Sequence, residues 1–356
     1  MSVNVCQADG IVASADVTFV TGELWPYLAG LLAREQTAWK EHGAPWQDPL
    51  EALAAYLDGG KALRPRFCYW GHAIAGEDTG PLLLQACAAL ELLHAFALIH
   101  DDLMDNSDTR RGRPALHREI SAQHRRHGWA GDPDGYGRAM ALLAGDLAFA
   151  IGSRLAAALP APALTVWRRM VDQLVLGQFL DLAGTARQDR SHEVARTTAL
   201  LKSGQYTVTG PLRIGATLAG LPGLPAGLSR YGDLVGEAFQ LRDDLLGVFG
   251  DPRRTGKPIG DDLASGKPTQ LLAHAADMLP PRGQALLALA GTPALTRVDA
   301  AELTGELARC GARNRVERKI RHNVRVACAL VDRAALPPHV AAALHSLAEA
   351  ATDRHR

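Results

Sequence analysis

The chain has 356 residues, 47% of them hydrophobic, 21% charged and 5% aromatic, and its 38 basic residues balance 38 acidic ones. This composition supplies one large apolar core and no net field for nucleic acid or an anionic membrane, so an anionic ligand must be held by a local group of cations. Five cysteines (Cys6, Cys68, Cys87, Cys310, Cys328) lack CxxC spacing, which argues for reduced thiols and against a zinc site or a disulfide framework.

No basic stretch followed by an unbroken apolar run marks a leader. The longest apolar tracts are interrupted by Gln85, Glu91 and His94, or by Asp146, so no membrane span is expected and the chain reads as soluble and cytoplasmic. Residues 1–20 lack sustained periodicity and are expected to form a loosely ordered N-terminal segment, followed by one helical domain over 21–356. From about Leu24, Ala and Leu dominate, β-branched runs are scarce, and Gly and Pro collect between segments. The spacing predicts helices over 24–42, 48–58, 62–75, 80–105, 115–127, 138–158, 162–183, 191–201, 204–219, 225–248, 268–278, 281–289, 299–329 and 337–352. No hairpin signal stands out, and 128–137 and the highly charged 250–268 read as loops. The fold class is therefore all-α.

Both halves contain an apolar helix that ends in paired aspartates. The first is LELLHAFALIHDDLMD at 90–105, where Asp101 and Asp105 lie one turn apart on one face beside Asp102. The second is EAFQLRDDLLGVFGD at 237–251, with Asp243 and Asp244 one turn after Gln240. Carboxylates at a helix C-terminus repel one another and also face the negative end of the macrodipole, at a cost of some tenths to ~1 kcal/mol per close pair. Divalent cations remove that penalty, and magnesium commonly uses one or two carboxylates together with substrate phosphates. A solvated helix end is the ordinary explanation of either pair alone; two copies are harder to explain that way.

The cations are grouped to complement these acids. Lys61 and Arg64 lie in GGKALRP, Arg110 and Arg111 follow the first aspartates, Lys202 lies in LKSGQYT, and Lys257 and Lys267 occupy the charged loop. Arginine binds phosphate oxygens in pairs and lysine acts as a point charge. GGK lacks the spacing of a nucleotide loop. Carboxylates, cations and a long apolar helix together suit a molecule with a diphosphate head and a hydrocarbon tail.

In GGKALRP (59–65), ELLHAFALIHDDLMDNSDTRRG (91–112), GD (145–146), GQFLD (177–181), KSGQYT (202–207), FQLRDD (239–244) and GKPIGDDLASGK (256–267), the chain resembles the trans-isoprenyl diphosphate synthases of the short-chain geranylgeranyl or farnesyl kind. The resemblance runs over roughly residues 24–330. It implies an isoprenoid-synthase helical bundle around a central apolar cavity, working as a homodimer. It implies three magnesium ions per site, with manganese able to substitute. Asp101 and Asp105 would be the principal ligands, with Asp102, Asp243 and Asp244 completing the metal set. The allylic diphosphate would be held by Arg110, Lys202, Lys257 and Lys267, assisted by Gln240 and by Ser203, which stands where the family usually has threonine. Isopentenyl diphosphate would be held by Lys61, Arg64, His94 and Arg111. His94 reads alone as a packed core residue, but it lies seven residues before Asp101 on nearly the same face. The sequence departs from the family at position 247, where Gly replaces the third aspartate of the second motif; Asp251 or water would take that place.

The implied reaction ionises an allylic diphosphate, adds the isopentenyl double bond to the cation and loses a proton to the departing diphosphate. In the family, the residues four and five positions before the first aspartate form the floor of the tail cavity. Here these are Ala97 and Phe96, the latter about 7.5 Å up the helix from Asp101. An aromatic at the fifth position with a small residue at the fourth resembles enzymes that stop at geranylgeranyl diphosphate (C20). A C15 or a longer product is the nearest alternative. A class I terpene cyclase would carry an NDxxSxxxE-type motif and no GGKxxRP or RRG site, and a non-catalytic partner subunit would have lost the aspartates.

Overall fold

The structure, a computed structural model, describes residues 14–41, 48–57, 60–76, 80–250 and 261–352. Helical structure begins earlier than the predicted position 24, with α1 (Ala15–Phe19) running through a π-helical turn at Val20–Leu24 into α2 (Trp25–Glu41). There follow α3 (Asp48–Leu57), α4 (Leu63–Ala73), α5 (Pro81–Met104), α6 (Leu116–His127), α7 (Pro133–Ala157) and α8 (Ala161–Arg187). Then come α9 (His192–Thr198), α10 (Gly210–Leu218), α11 (Leu228–Phe249), α12 (Asp261–Ser265), α13 (Gln270–Met278) and α14 (Pro281–Leu287). The last are α15 (Arg297–Arg309), α16 (Ala312–Arg333) and α17 (Pro338–Thr352). The expected all-α architecture is met.

Four local expectations are corrected. The Asp-Pro step in 128–137 begins a helix: Asp132 caps α7 by accepting from Asp134 N (3.1 Å) and Gly135 N (2.9 Å), with Pro133 at the first helical position. The break expected between 201 and 204 does not occur; α9 continues through a π-helix, Ala199–Thr209, into α10. The single helix expected over 299–329 is two, divided at Gly311, whose φ of +88° stops one helix and starts the next. A small hairpin also exists. Thr109–Arg110 (β1) pairs antiparallel with Arg113–Pro114 (β2) around Arg111 (φ +52°) and Gly112 (φ +74°). Two successive left-handed residues make the tight turn that matches strand twist, and here they direct the Arg110 and Arg111 side chains. Asp251 and Lys257 lie outside the described residues.

α5 is the central helix, with Leu90, Leu92 and Leu93 fully buried in the largest apolar cluster. Each such leucine contributes about 1.5–3 kcal/mol relative to exposure. α5 and α7 are long and apolar enough to cross a bilayer by length and composition, but 61% of the most apolar window of α5 is buried inside the bundle. α11 serves two clusters, with Tyr231, Leu234, Val235 and Phe239 packed towards α17 and Ala238, Leu241, Leu245 and Val248 towards α12, α13 and α15. The Tyr231 hydroxyl donates to Leu344 O (2.7 Å), and Arg242 joins Glu317 (2.8 and 3.0 Å) and Thr352 O (2.8 Å), so the last two helices brace the one that carries Asp243. Cys68, Cys87, Cys310 and Cys328 are free thiols, as expected.

α13 and α9 meet at His274 and His192, whose rings are 4.6 Å apart. Burial, then the charges of His192, Arg315 and Lys319, push the His274 imidazole from 6.5 down to about 4, against a small opposing effect of Asp277. A histidine held neutral in the fold contributes stability that is full above its unfolded value and lost as pH falls through the folded one. Between pH 6.5 and 4 the wild type should therefore lose roughly 1–2 kcal/mol more stability than His274→Gln, as read by urea denaturation. Parallel pH profiles for the two proteins would refute this.

Candidate active site

A pair of lysines meets the first acidic helix end. Lys202 Nζ lies 2.9 Å from Asp101 Oδ1 and 2.5 Å from Asp181 Oδ2. Lys267 Nζ lies 2.5 Å from Asp105 Oδ2. Gly177 makes the first contact possible: a Cβ there would fall 2.3 Å from the backbone nitrogen of Lys202, so only glycine lets α8 approach the π-helix this closely. The wider π turn then sets Lys202 and Ser203 facing the cluster while Tyr206 and Thr207 turn into the core, a use of π geometry common at functional sites.

Electrostatics show how concentrated the charge is. Burial alone would raise the Asp101 carboxyl, but Lys202, Lys267 and Arg110 hold it well below the usual carboxylate range. Asp105 is shifted the other way: burial and the Asp101 charge raise it in spite of Lys267. Asp244 is pushed up to about 8 by burial, against the hydrogen bond from Gln240 and with Asp262, Asp243 and Asp181 adding repulsion. Lys267, although buried, is raised well above its ordinary value by Asp101, Asp262, Asp105 and Asp181. An acid cluster that two lysines leave so uncompensated, built only from oxygen donors, fits hard divalent cations such as magnesium. Asp101 and Asp105 contribute to this cluster through their lysine contacts.

Asp102 is 1% exposed, and its oxygens are taken by the Tyr56 hydroxyl (2.5 Å) and by Arg110, whose Nε lies 2.9 and 3.1 Å from them. In this arrangement it orients Arg110. Burial and the Asp102 charge raise the Tyr56 phenol far above its usual range, so it remains a donor at every working pH. Ser203 and Gln240 form a strap on Asp244: the serine hydroxyl donates to Gln240 Oε1, and Gln240 Nε2 donates to Asp244 Oδ1 (2.7 Å).

The second group of cations lies around Tyr206. Arg64, 6% exposed, stacks over the Tyr206 ring at 4.1 Å and donates to Thr207 Oγ1 (3.0 Å). His94 Nδ1 lies 2.9 Å from the Tyr206 hydroxyl. Arg111 reaches Tyr56 O (3.4 Å) and rests against Gly60, next to Lys61. Glu91 is buried beneath them: burial raises its carboxyl, and Arg64 and Arg111 are the charges that oppose this. Arg64, His94 and Arg111, three of the four residues predicted for the metal-free diphosphate, thus share one neighbourhood. Sequence reasoning missed Asp181, Tyr56, Tyr206, Glu91 and Asp262 as site residues, although Asp181, Tyr206, Glu91 and Asp262 lie inside the motifs quoted above; nothing local marks Tyr56.

Higher on α5, Phe96 packs against Phe149 of α7 (ring centroids 5.0 Å) and His100 (4.5 Å), with Ala97 half-buried beside it. The two phenylalanines form an aromatic pair spanning α5 and α7.

Comparison with known proteins agrees with this geometry. The polyprenyl synthetase family model matches residues 47–302. A (2E,6E)-farnesyl diphosphate synthase of Mycobacterium tuberculosis is 32% identical over 305 residues, covering 83% of this chain and 80% of the relative. A geranylgeranyl diphosphate synthase of the same organism is 32% identical over 320 residues, covering 83% and 85%. Among solved structures, a geranylgeranyl pyrophosphate synthase from Corynebacterium glutamicum, complexed with isoprenyl diphosphate and magnesium, superposes with a TM-score of 0.88 at 36% identity, covering 95% of this chain and 99% of that one. The chain belongs to the polyprenyl synthetase family. Its activity is that of a prenyl diphosphate synthase.

Proposed function

We propose that the protein condenses isopentenyl diphosphate with allylic diphosphates, head to tail, and stops at geranylgeranyl diphosphate. The observation that carries the reading is that one chain gathers two separate groups of charged side chains, each suited to a diphosphate. One is the acid and lysine cluster of Asp101, Asp105, Asp243, Lys202 and Lys267. The other is the cation group of Arg64, His94 and Arg111 around Tyr206, above the buried Glu91. A terpene cyclase needs only the first.

Bound magnesium supplies charge that stabilises the departing diphosphate. The chain's own part begins with Lys202, Lys267 and Arg110, which present fixed positive charge where the allylic C–O bond breaks and negative charge develops. Arg110 is prevented from swinging by its bidentate hold on Asp102. Arg64, Arg111 and His94 hold the second diphosphate so that its double bond faces the allylic carbocation. The new C–C bond forms there, and the proton lost from the isopentenyl unit passes to the released diphosphate. The apolar faces of α5 and α7 exclude water from the cation.

The C20 limit is supported by the Phe96–Phe149 pair beside the small Ala97. Incubating the protein with magnesium, isopentenyl diphosphate and C5, C10 or C15 allylic diphosphates, followed by chromatography, tests both parts. A C20 product is expected. A C15 or C25 product would refute the length limit alone, and a hydrocarbon or alcohol made without isopentenyl diphosphate would refute the condensation. We further propose manganese as a competent substitute, cytoplasmic action without a membrane span, and a homodimer. Support for the dimer comes from the exposed Leu143 (58%), Leu176 (52%) and Phe179 (69%) on α7 and α8, an apolar surface a monomer would leave wet. Sedimentation of Phe179→Asp should shift towards monomer; an unchanged dimer would move the interface elsewhere.

A further inference from the structure

α9 and α13 pack against each other, and where they meet lie two imidazoles and a carboxylate. His274 and Asp277 stand three residues apart on one face of α13, and His192 is the first residue of α9. One nitrogen of each ring and one oxygen of Asp277 all lie within 4.8 Å of one another. The ring planes are inclined by 50°, so the imidazoles are tilted and not stacked. His192 Nε2 donates to Asp277 Oδ2 across 2.8 Å, and that proton holds the position a cation would take.

Both helices are fixed at this point by contacts of their own. Ser191 caps α9 by accepting from Val194 N (3.3 Å), and Thr269 caps α13 by accepting from Leu272 N (3.2 Å). Leu271, Leu272 and Ala275 are fully buried, which sets the rotation of α13. Arg190, two residues before His192, donates to Gly266 O (2.9 Å), so the approach to α9 is held to the turn that precedes α13.

The donor set differs from that of the aspartate cluster. Imidazole suits zinc, copper, iron and nickel, whereas magnesium prefers oxygen. Three protein ligands with a fourth position left to water suit zinc, whose ligand atoms, at bonds of about 2.0–2.2 Å, stand about 3.3–3.5 Å apart in a tetrahedron. Rotation of two exposed side chains, His192 (48%) and Asp277 (67%), closes the present spread to that spacing. Arg315 and Lys319 are felt at His274 and oppose a cation. Lys319 is itself engaged by Glu237 (2.9 Å) and Gln270 Oε1 (2.6 Å), and Asp277 supplies the opposite charge. The set uses no cysteine, and 82 positions (274 − 192) separate its histidines, so no motif spacing announces it.

We propose that His192, His274 and Asp277 form a metal site separate from the aspartate cluster, for a divalent transition metal of the zinc kind, and that the bound ion ties α9 to α13. α9 runs on into the π-helix that carries Lys202, and α13 follows the connection that carries Lys267. The tie therefore joins, from outside the cluster, the two segments whose lysines meet Asp101 and Asp105.

The test is a Zn2+ titration of the whole chelator-treated protein in excess Mg2+, free Zn2+ being read with a chromophoric chelator. Any ion taken by the aspartate cluster is common to all variants and cancels in the comparison. Wild type should bind one Zn2+ more than His192→Ala. Asp277→Asn keeps the shape and removes the charge, and should weaken that ion by about tenfold or more. Zn2+ should also slow backbone amide exchange over 192–209 and 267–278 in wild type and not in His192→Ala. Superimposable isotherms for wild type and His192→Ala would overturn the site and leave His192 and Asp277 an exposed ion pair only. Binding of the extra ion without slower exchange would overturn the tie. Both substituted side chains are exposed, so folded variants are expected; if His192→Ala loses the metal-free melting profile, the Asp277→Asn isotherm decides. The pH effect stated for His274 belongs to the metal-free protein and is measured with chelator present.

Discussion

Asp101→Ala is expected to keep its fold and lose at least about a thousandfold in turnover, since it removes both a metal-facing carboxylate and the partner that positions Lys202. Some stability is lost with it, because Lys202, Lys267 and Arg110 hold the Asp101 carboxyl well below the usual range and so favour the folded form. Relief of repulsion from Asp105 and from the negative end of α5 offsets part of that loss. Lys202 retains Asp181 at 2.5 Å. Asp102→Ala should behave in the opposite way. It would leave the buried Arg110 without its bidentate partner and Tyr56 without its acceptor, and breaking a buried pair costs about 3–5 kcal/mol. Adjacent carboxylates are thus predicted to separate by readout, Asp101 in steady-state rate and Asp102 in the thermal melt. A folded Asp101→Ala protein with wild-type turnover would remove the metal role assigned to that residue.

Phe96→Ala should move the product from C20 to C25 or longer. The ring lies between α5 and α7 against Phe149, and truncation opens that seam, the floor given to the tail in the proposed reading. Full burial of a phenylalanine makes its loss cost about 3–5 kcal/mol, and Phe96 is only half-buried, so a smaller loss and a folded enzyme are expected. Because Phe149 remains, the shift should be partial in Phe96→Ala and larger when Phe149→Ala is added. Chain lengths measured by chromatography decide it: an unchanged product in both variants would place the floor on another helix.

The helical architecture and most of the site were legible because they depend on near neighbours. The apolar period of 80–105, the acidic pair at its end and the arginines that follow are all contained in one short stretch. The misread elements were those whose local cues pointed elsewhere. Asp-Pro at 132–133 signals a turn as readily as an N-cap, and helical periodicity continues across Gly311. The two-residue hairpin at Arg111 and Gly112 carries no β-branched run to announce it. The π-helix at Ala199–Thr209 has no sequence signature of its own; packing of Gly204 against Gly236 and of Lys202 over Gly177 selects it.

By itself the sequence determined the residue types and their order: two carboxylate pairs at helix ends, two sets of cations and an aromatic five positions before the first aspartate. Only the tertiary structure decided which way each group faces. Asp102 turns to Tyr56, 46 positions away, while Asp105 turns to Lys267, 162 positions away. A side chain at Gly247 would begin where the Asp262 carboxyl group of α12 lies. The physical reason is that helix formation is governed by interactions within a few residues, whereas the charge, burial and free volume around a carboxylate are set by whichever distant segments pack against it.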